Sequence, residues 1–507
     1  MSVRNEKVKK ASLFKYLNPK NLKGEIKGYG YTFTPGDFLK YIVLVYGGIV
    51  AFSYLFKLKI PYIIFIAAAV TLLLPDIFLN QFRNMYEEKR FEDITAYMEQ
   101  LLYSFKRRAK ILSALQDTLT LFYDEHSKSQ GGLYEAIQKA IDHIQTSETE
   151  GNIYEEAFSY IEKEYGCKRL YKIHDFLIRV EAAGGECSNA VEILLDDRKL
   201  WMDRVYTLQK DKANVKVKIT IGIALSFLIC AMGIYMLPPD FHVINNPLSQ
   251  GITTLVIITN VLIWYASQKK LSGSLLVSGN ETPFKEIQKR YEYVMHVDLK
   301  QKRKKALITA AAFSPLILLA YWKVNITSAA FMAVFCWLIA SQPKRHYKTS
   351  LKIITKEVEK AFPEWLMSLA LQLQTDNVHV SISKTIGTAQ EVLQEELQKL
   401  LDGIEQRPNS LQPYTNFFRK IQLPDITSAM KMLYSMAEFG AADVEKQIGA
   451  LVQRNTVLMD KAERIRQEDS LSGISFLILL PMLTGVIKLI VDLGLVVMSI
   501  LSTINTI

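Results

Sequence analysis

The stretch ITIGIALSFLICAMGIYML, Ile219 to Leu237, decides the fold. It carries no charged side chain, and at 1.5 Å per residue it matches the roughly 30 Å of hydrocarbon that a bilayer-spanning helix must cross. The residues before it, Asp196 to Lys218, are rich in charge at helical spacing, so a polar helix runs straight into the apolar one. The chain has 507 residues and is 49% hydrophobic, a composition that a set of soluble domains or a membrane protein could share. The clustering of the apolar residues discriminates between the two. Runs of about 16 to 20 apolar residues recur at Phe38 to Phe56, Ile60 to Leu79, Gly251 to Ser267, Ala306 to Trp322 and Val324 to Ser341. A seventh, Leu471 to Ile500, contains Lys488 and Asp492, one helical turn apart and able to neutralise each other; the pattern leaves open whether it crosses once or twice. The first run begins late and lacks a small-residue cleavage site, so the expectation is a retained anchor.

The net charge of +10 follows the membrane pattern. Arg4, Lys7, Lys9, Lys10, Lys15, Lys20, Lys23 and Lys27 precede the first run, and ten basic residues from Lys269 to Lys305 lie between the fourth and fifth, while Pro238 to Gln250 has none. The positive-inside rule then places the N-terminus, Asn80 to Lys218, Gln268 to Lys305 and Gln342 to Ser470 in the cytoplasm, and accounts for the charge without nucleic acid. The implied organisation is a basic tail (1–37), a span pair (38–79), a first cytoplasmic helical module (80–218), a span pair (219–267), a basic linker (268–305), a span pair (306–341), a second module (342–470) and a C-terminal membrane segment (471–507). The fold class is an all-α integral membrane protein with two helical-bundle modules alternating with transmembrane helices.

The two modules align near their ends. Glu181-Ala-Ala-Gly-Gly leads to Met202-Asp203 and Glu438-Phe-Gly-Ala-Ala to Met459-Asp460, both at a spacing of 21 (202 minus 181, 459 minus 438), which makes an offset of 257. Ile94, Tyr97, Met98, Leu101, Leu102 and Phe105 in one module, and Trp365, Leu366, Leu369 and Leu373 in the other, mark apolar helical faces. Gly184, Gly185 and Gly440 fall at a bend where glycine supplies a left-handed cap or a close approach. With Glu181, Glu186 and Glu438 they make a candidate partner-binding surface.

Catalytic signatures are missing. There is no GxxxxGK[ST], GxGxxG, HExxH or GxSxG, and Cys167, Cys187, Cys230 and Cys336 have no CxxC spacing. The seven histidines, His126, His143, His174 and His379 among them, read as surface or packed side chains. The reading is a protein that is not an enzyme and has no cofactor or metal.

Paired spans, a helical module with Glu181-Ala-Ala-Gly-Gly-Glu, a charged helix and a further span resemble the type II secretion system F-domain family. The second module, with Phe362-Pro-Glu-Trp365, Asn416-Phe-Phe418, Leu423-Pro-Asp425, Arg454-Asn455 and Leu480-Pro481, is similar to its tight-adherence pilus branch. The resemblance covers residue 90 onward, and departs from that branch in holding two modules in one chain, as a fused pair or a two-module archaeal platform would. It implies a multi-pass platform in the cell membrane, homo-oligomeric and lipid-embedded. Its partners would be a hexameric secretion ATPase and pilin or pseudopilin subunits. A regulated transporter or channel, and a scaffold or signalling protein without a motor, are the rival readings.

Overall fold

A computed structural model describes residues 19–31, 35–123, 132–147, 152–184, 187–236, 245–273, 275–276, 283–323, 326–373, 376–421, 423–439 and 444–504. Its elements are all helices: α1 (Pro19–Gly28), α2 (Pro35–Leu55), α3 (Ile60–Arg108), α4 (Ile111–Leu121), α5 (Gly132–Thr146), α6 (Ile153–Tyr165), α7 (Lys168–Ala183), α8 (Ser188–Met236), α9 (Pro247–Leu271), α10 (Phe284–Met295), α11 (Leu299–Lys323), α12 (Ile326–Gln372), α13 (Val378–Ile386), α14 (Glu391–Gln406), α15 (Gln412–Asn416), α16 (Pro424–Phe439) and α17 (Val444–Ile504). They form two compact units, one of residues 1–279 with 467–507 and the other of residues 280–466.

Among the described residues five helices are long and apolar enough to cross a membrane, within Phe38–Leu55, Ile60–Arg108, Ser188–Met236, Pro247–Leu271 and Phe476–Leu501. The chain is an all-α membrane protein. The expected fifth and sixth runs fall on α11 and α12, with residues 324 and 325 outside the described residues; Ile308, Phe331 and Trp337 on these helices are exposed. The C-terminal apolar stretch is one unbroken helix despite Pro481, and its 26-residue span has the length for a single crossing. The basic tail contains an element the sequence reading passed over. Leu22 and Ile26 of α1 are fully buried against Phe78 and Leu79 of α3, while Lys23 and Lys27 face outward.

The boundaries between span and module fall inside α3, α8, α12 and α17, each of which runs unbroken from its apolar half into its polar half, even where Pro75 of α3 and Pro343 of α12 lie close to the boundary. In the first module α3 buries Ile94, Tyr97, Met98, Leu101, Leu102 and Phe105, the stripe that the periodicity predicts, and extends it by one turn to the buried Phe91. Trp201 of α8 meets Phe91 edge-on at 4.9 Å. The second module buries Phe362, Trp365, Leu366 and Leu369 of α12 against α13 to α17, and Trp365 Nε1 donates to Thr385 Oγ1 at 3.1 Å.

Both modules have the same order: a long helix, four shorter ones, and a long helix. The short helices before the glycine bends start at Lys168 and Pro424 and end at Ala183 and Phe439, each 256 apart (424 minus 168, 439 minus 183), one residue from the offset read in the sequence. At the 257 offset Arg198 and Asn455 (455 minus 198) do the same work. Arg198 Nη1 donates to the Thr95 carbonyl at 3.3 Å and its Nη2 pairs with Glu99 at 2.7 Å, whereas Asn455 Nδ2 donates to the Pro363 carbonyl at 3.2 Å. An Arg169–Asp197 pair at 3.0 Å recurs with reversed charge as Asp425–Arg454 at 3.9 Å.

Candidate functional site

Gly184 adopts φ +71 after α7, and its N–H donates to the Val180 carbonyl at 2.8 Å, so the positive φ expected at this bend is present and only glycine holds it without strain. Gly185, Glu186 and Gly440 lie outside the described residues. Glu438, at the end of α16, is exposed.

Glu181 differs from the expectation of an exposed docking carboxylate. Its side chain is 10% exposed; Oε2 accepts from the Ile111 N–H at 2.7 Å, Oε1 from the Tyr154 hydroxyl at 3.0 Å, and Lys110 Nζ lies at 3.6 Å. The carboxylate thus satisfies an otherwise open donor at the first turn of α4 and ties α4, α6 and α7 together. Glu181→Ala should destabilise the first module by about 2 to 3 kcal/mol, since the bonds are charge-assisted and partly buried. A fall in the thermal midpoint no larger than Arg179→Ala produces on the exposed face of the same helix would refute this.

A second buried cluster sits in that module. His174 stacks on Phe158 at 3.8 Å, shares a hydrogen bond with the Tyr97 hydroxyl at Nε2 (3.1 Å) and bonds Glu162 through Nδ1 (2.8 Å), which fits a neutral ring with Nδ1–H donating to the carboxylate. Burial pushes its pKa below the usual 6.5, opposed by the Glu162 carboxylate. The unfolded chain therefore takes up a proton on acidification before the folded one does. The contribution is fully present above pH 6.5 and is lost as pH falls below it. His174→Phe should flatten the stability profile on that acid side, measured by thermal unfolding across pH 5 to 8.

Close helix approach in the membrane is made at Gly485, Gly222 and Gly233. A Cβ at Gly47 or Gly48 would meet nothing within 4 Å. At Gly485 it would lie 3.1 Å from the Cα, carbonyl O and Oγ of Ser226, at Gly222 3.4 Å from the Ile478 carbonyl, and at Gly233 3.3 Å from Leu489. So α8 and α17 cross on glycine.

Alongside this crossing runs a polar seam. Lys488 and Asp492, 0% and 1% exposed, pair across one turn of α17 as the sequence suggested. Ser249 of α9 completes the set: Lys488 Nζ donates to Ser249 Oγ at 2.9 Å, and Ser249 Oγ donates to Asp492 Oδ1 at 2.9 Å. Further along, Asn260 Nδ2 donates to Ser226 Oγ at 3.3 Å and Thr484 Oγ1 at 3.1 Å. Ser249, Gln250, Thr253, Thr254, Asn260 and Ser267 all lie buried on α9, and Gln250 also staples the α2–α3 turn through Lys57 O and Lys59 N. Run-averaged hydropathy hid this face. The spacing of Ser249, Thr253, Asn260 and Ser267 by 4, 7 and 7 residues was the available signal (253 minus 249, 260 minus 253, 267 minus 260).

Among the described residues no group of three or more His, Cys, Asp or Glu side chains is placed to hold a metal ion, and the four cysteines are free and buried. No protein-family model, curated protein or solved structure matches the chain.

Proposed function

We propose that this chain is a non-enzymatic platform of a type II secretion or tight-adherence pilus machine, lying in the cell membrane with its N-terminus and both helical modules in the cytoplasm. In this reading a separate hexameric ATPase supplies the energy and the platform passes it to pilin or pseudopilin subunits leaving the bilayer. The observation that carries the reading is the duplicated order of a long helix, four shorter helices and a second long helix that ends in an apolar span. That plan gives a soluble body two helical arms reaching into lipid, and it supplies no nucleotide-binding motif of its own.

The exposed Glu438 is the better contact candidate, because Glu181 is committed to internal bonds. Glu438→Lys should weaken co-purification of the cognate ATPase about tenfold while the variant still inserts and keeps its thermal midpoint. Unchanged capture would remove this bend as the docking site. ATP turnover by the pure chain would overturn the division of labour.

A further inference from the structure

Lys212, Val215, Lys216 and Ile219 recur on α8 at three- and four-residue spacing and so share one face. Val215 and Ile219 belong to a cluster with Leu271 of α9 and with Leu471 and Ile474 of α17, so this is the packed face of the helix. The two lysines are half-buried beside it, whereas Lys218 points away and is exposed. Like charges one turn apart repel, and burial adds to the cost. None of the ion pairs among the described residues includes either lysine. Burial, and then the neighbouring Lys216, press the Lys212 pKa below its usual value.

An arrangement of two inward cations without an anion calls for one from outside the chain, and their depth identifies its source. At 1.5 Å per residue Lys216 and Lys212 stand about 4.5 and 10 Å before Ile219, where the apolar span begins. The headgroup layer is about 5 to 8 Å thick on each side of the hydrocarbon, so Lys216 lies within it and Lys212 stands at its outer edge, from which a flexible lysine stem reaches phosphate level. Below them Val217, Ile221 and Leu225 expose apolar side chains on which an acyl chain can lie. We propose that Lys212 and Lys216 hold the phosphate of an anionic phospholipid headgroup at the module end of the α8 span.

The test uses the full chain in neutral detergent, incubated with phosphatidylglycerol or phosphatidylcholine and weighed intact by native mass spectrometry. The wild type should retain phosphatidylglycerol selectively. Each lysine lost should reduce retention about fivefold, so Lys212→Gln/Lys216→Gln should lose about twenty-five-fold. Lys212→Arg/Lys216→Arg and Lys218→Gln should both retain the lipid, and thermal midpoints in neutral detergent would show that the variants are folded. Equal retention by the wild type and the folded double glutamine variant overturns the proposal. Displacement of the lipid by millimolar inorganic phosphate would assign the site to the free anion and overturn the lipid assignment.

Discussion

Replacing Lys488 by methionine should cost about 3 to 5 kcal/mol and strip the protein from the membrane fraction, because Asp492 would remain 1% exposed with its cationic partner gone. The Ser249 hydroxyl can still donate to it, but one neutral bond does not offset an uncompensated charge in this environment. The double variant Lys488→Met/Asp492→Leu should behave differently. Removing both charges removes both desolvation costs, and the fold should return to within about 1 kcal/mol of the wild type or exceed it. Accumulation and thermal midpoint in detergent, compared across wild type, single and double variants, read the difference. A single variant as stable as the wild type would mean that the pair is solvated; a double variant as damaged as the single would mean that shape, and not charge, governs the site.

Gly485→Val should be the second severe change. A Cβ at this position lies 3.1 Å from two backbone atoms of Ser226 as well as its hydroxyl, and backbone cannot rotate aside. Overpacking of this kind costs about 1 to 3 kcal/mol in well-packed interiors, and separating α8 from α17 would also stretch the Ser226–Thr484 contact at 3.1 Å and the two bonds from Asn260. The comparison is Gly494→Val on the same helix, where nothing lies within 4 Å and the change should be nearly silent. Equal thermal midpoints for the two variants would contradict the crossing geometry.

The helical periods were legible in the sequence because one apolar stripe per helix faces the module core, as Ile94 to Phe105 illustrates. The repeat was legible only at its end. Between α3 and α12 the C-terminal offset is 264 (372 minus 108), but it shrinks to 256 at α7 and α16, since the connections differ in length and a gapless comparison loses the first helices. Glu181 was misread because its partner is the Ile111 N–H, 70 residues upstream, and local sequence says nothing of which donor a carboxylate will meet. The pair Gly47-Gly48 shows the converse: small residues permit close approach, but the fold decides which helix face receives a neighbour. The α9 polar face escaped notice because a span is recognised by its average, and an average discards direction.

The bond from Arg198 to the Thr95 carbonyl closes the first module across 103 residues of chain. During synthesis at about 5 to 20 residues per second, α3 would wait on the order of 5 to 20 seconds for its closing helix. In that interval the stripe from Phe91 to Phe105 faces water with no partner from α8. The closing helix is itself the next segment destined for the bilayer. Completion of the soluble core and insertion of the third span are therefore successive acts on one helix, and a pause in translation shortly after Met236 would favour the native product over aggregation of the half-made module.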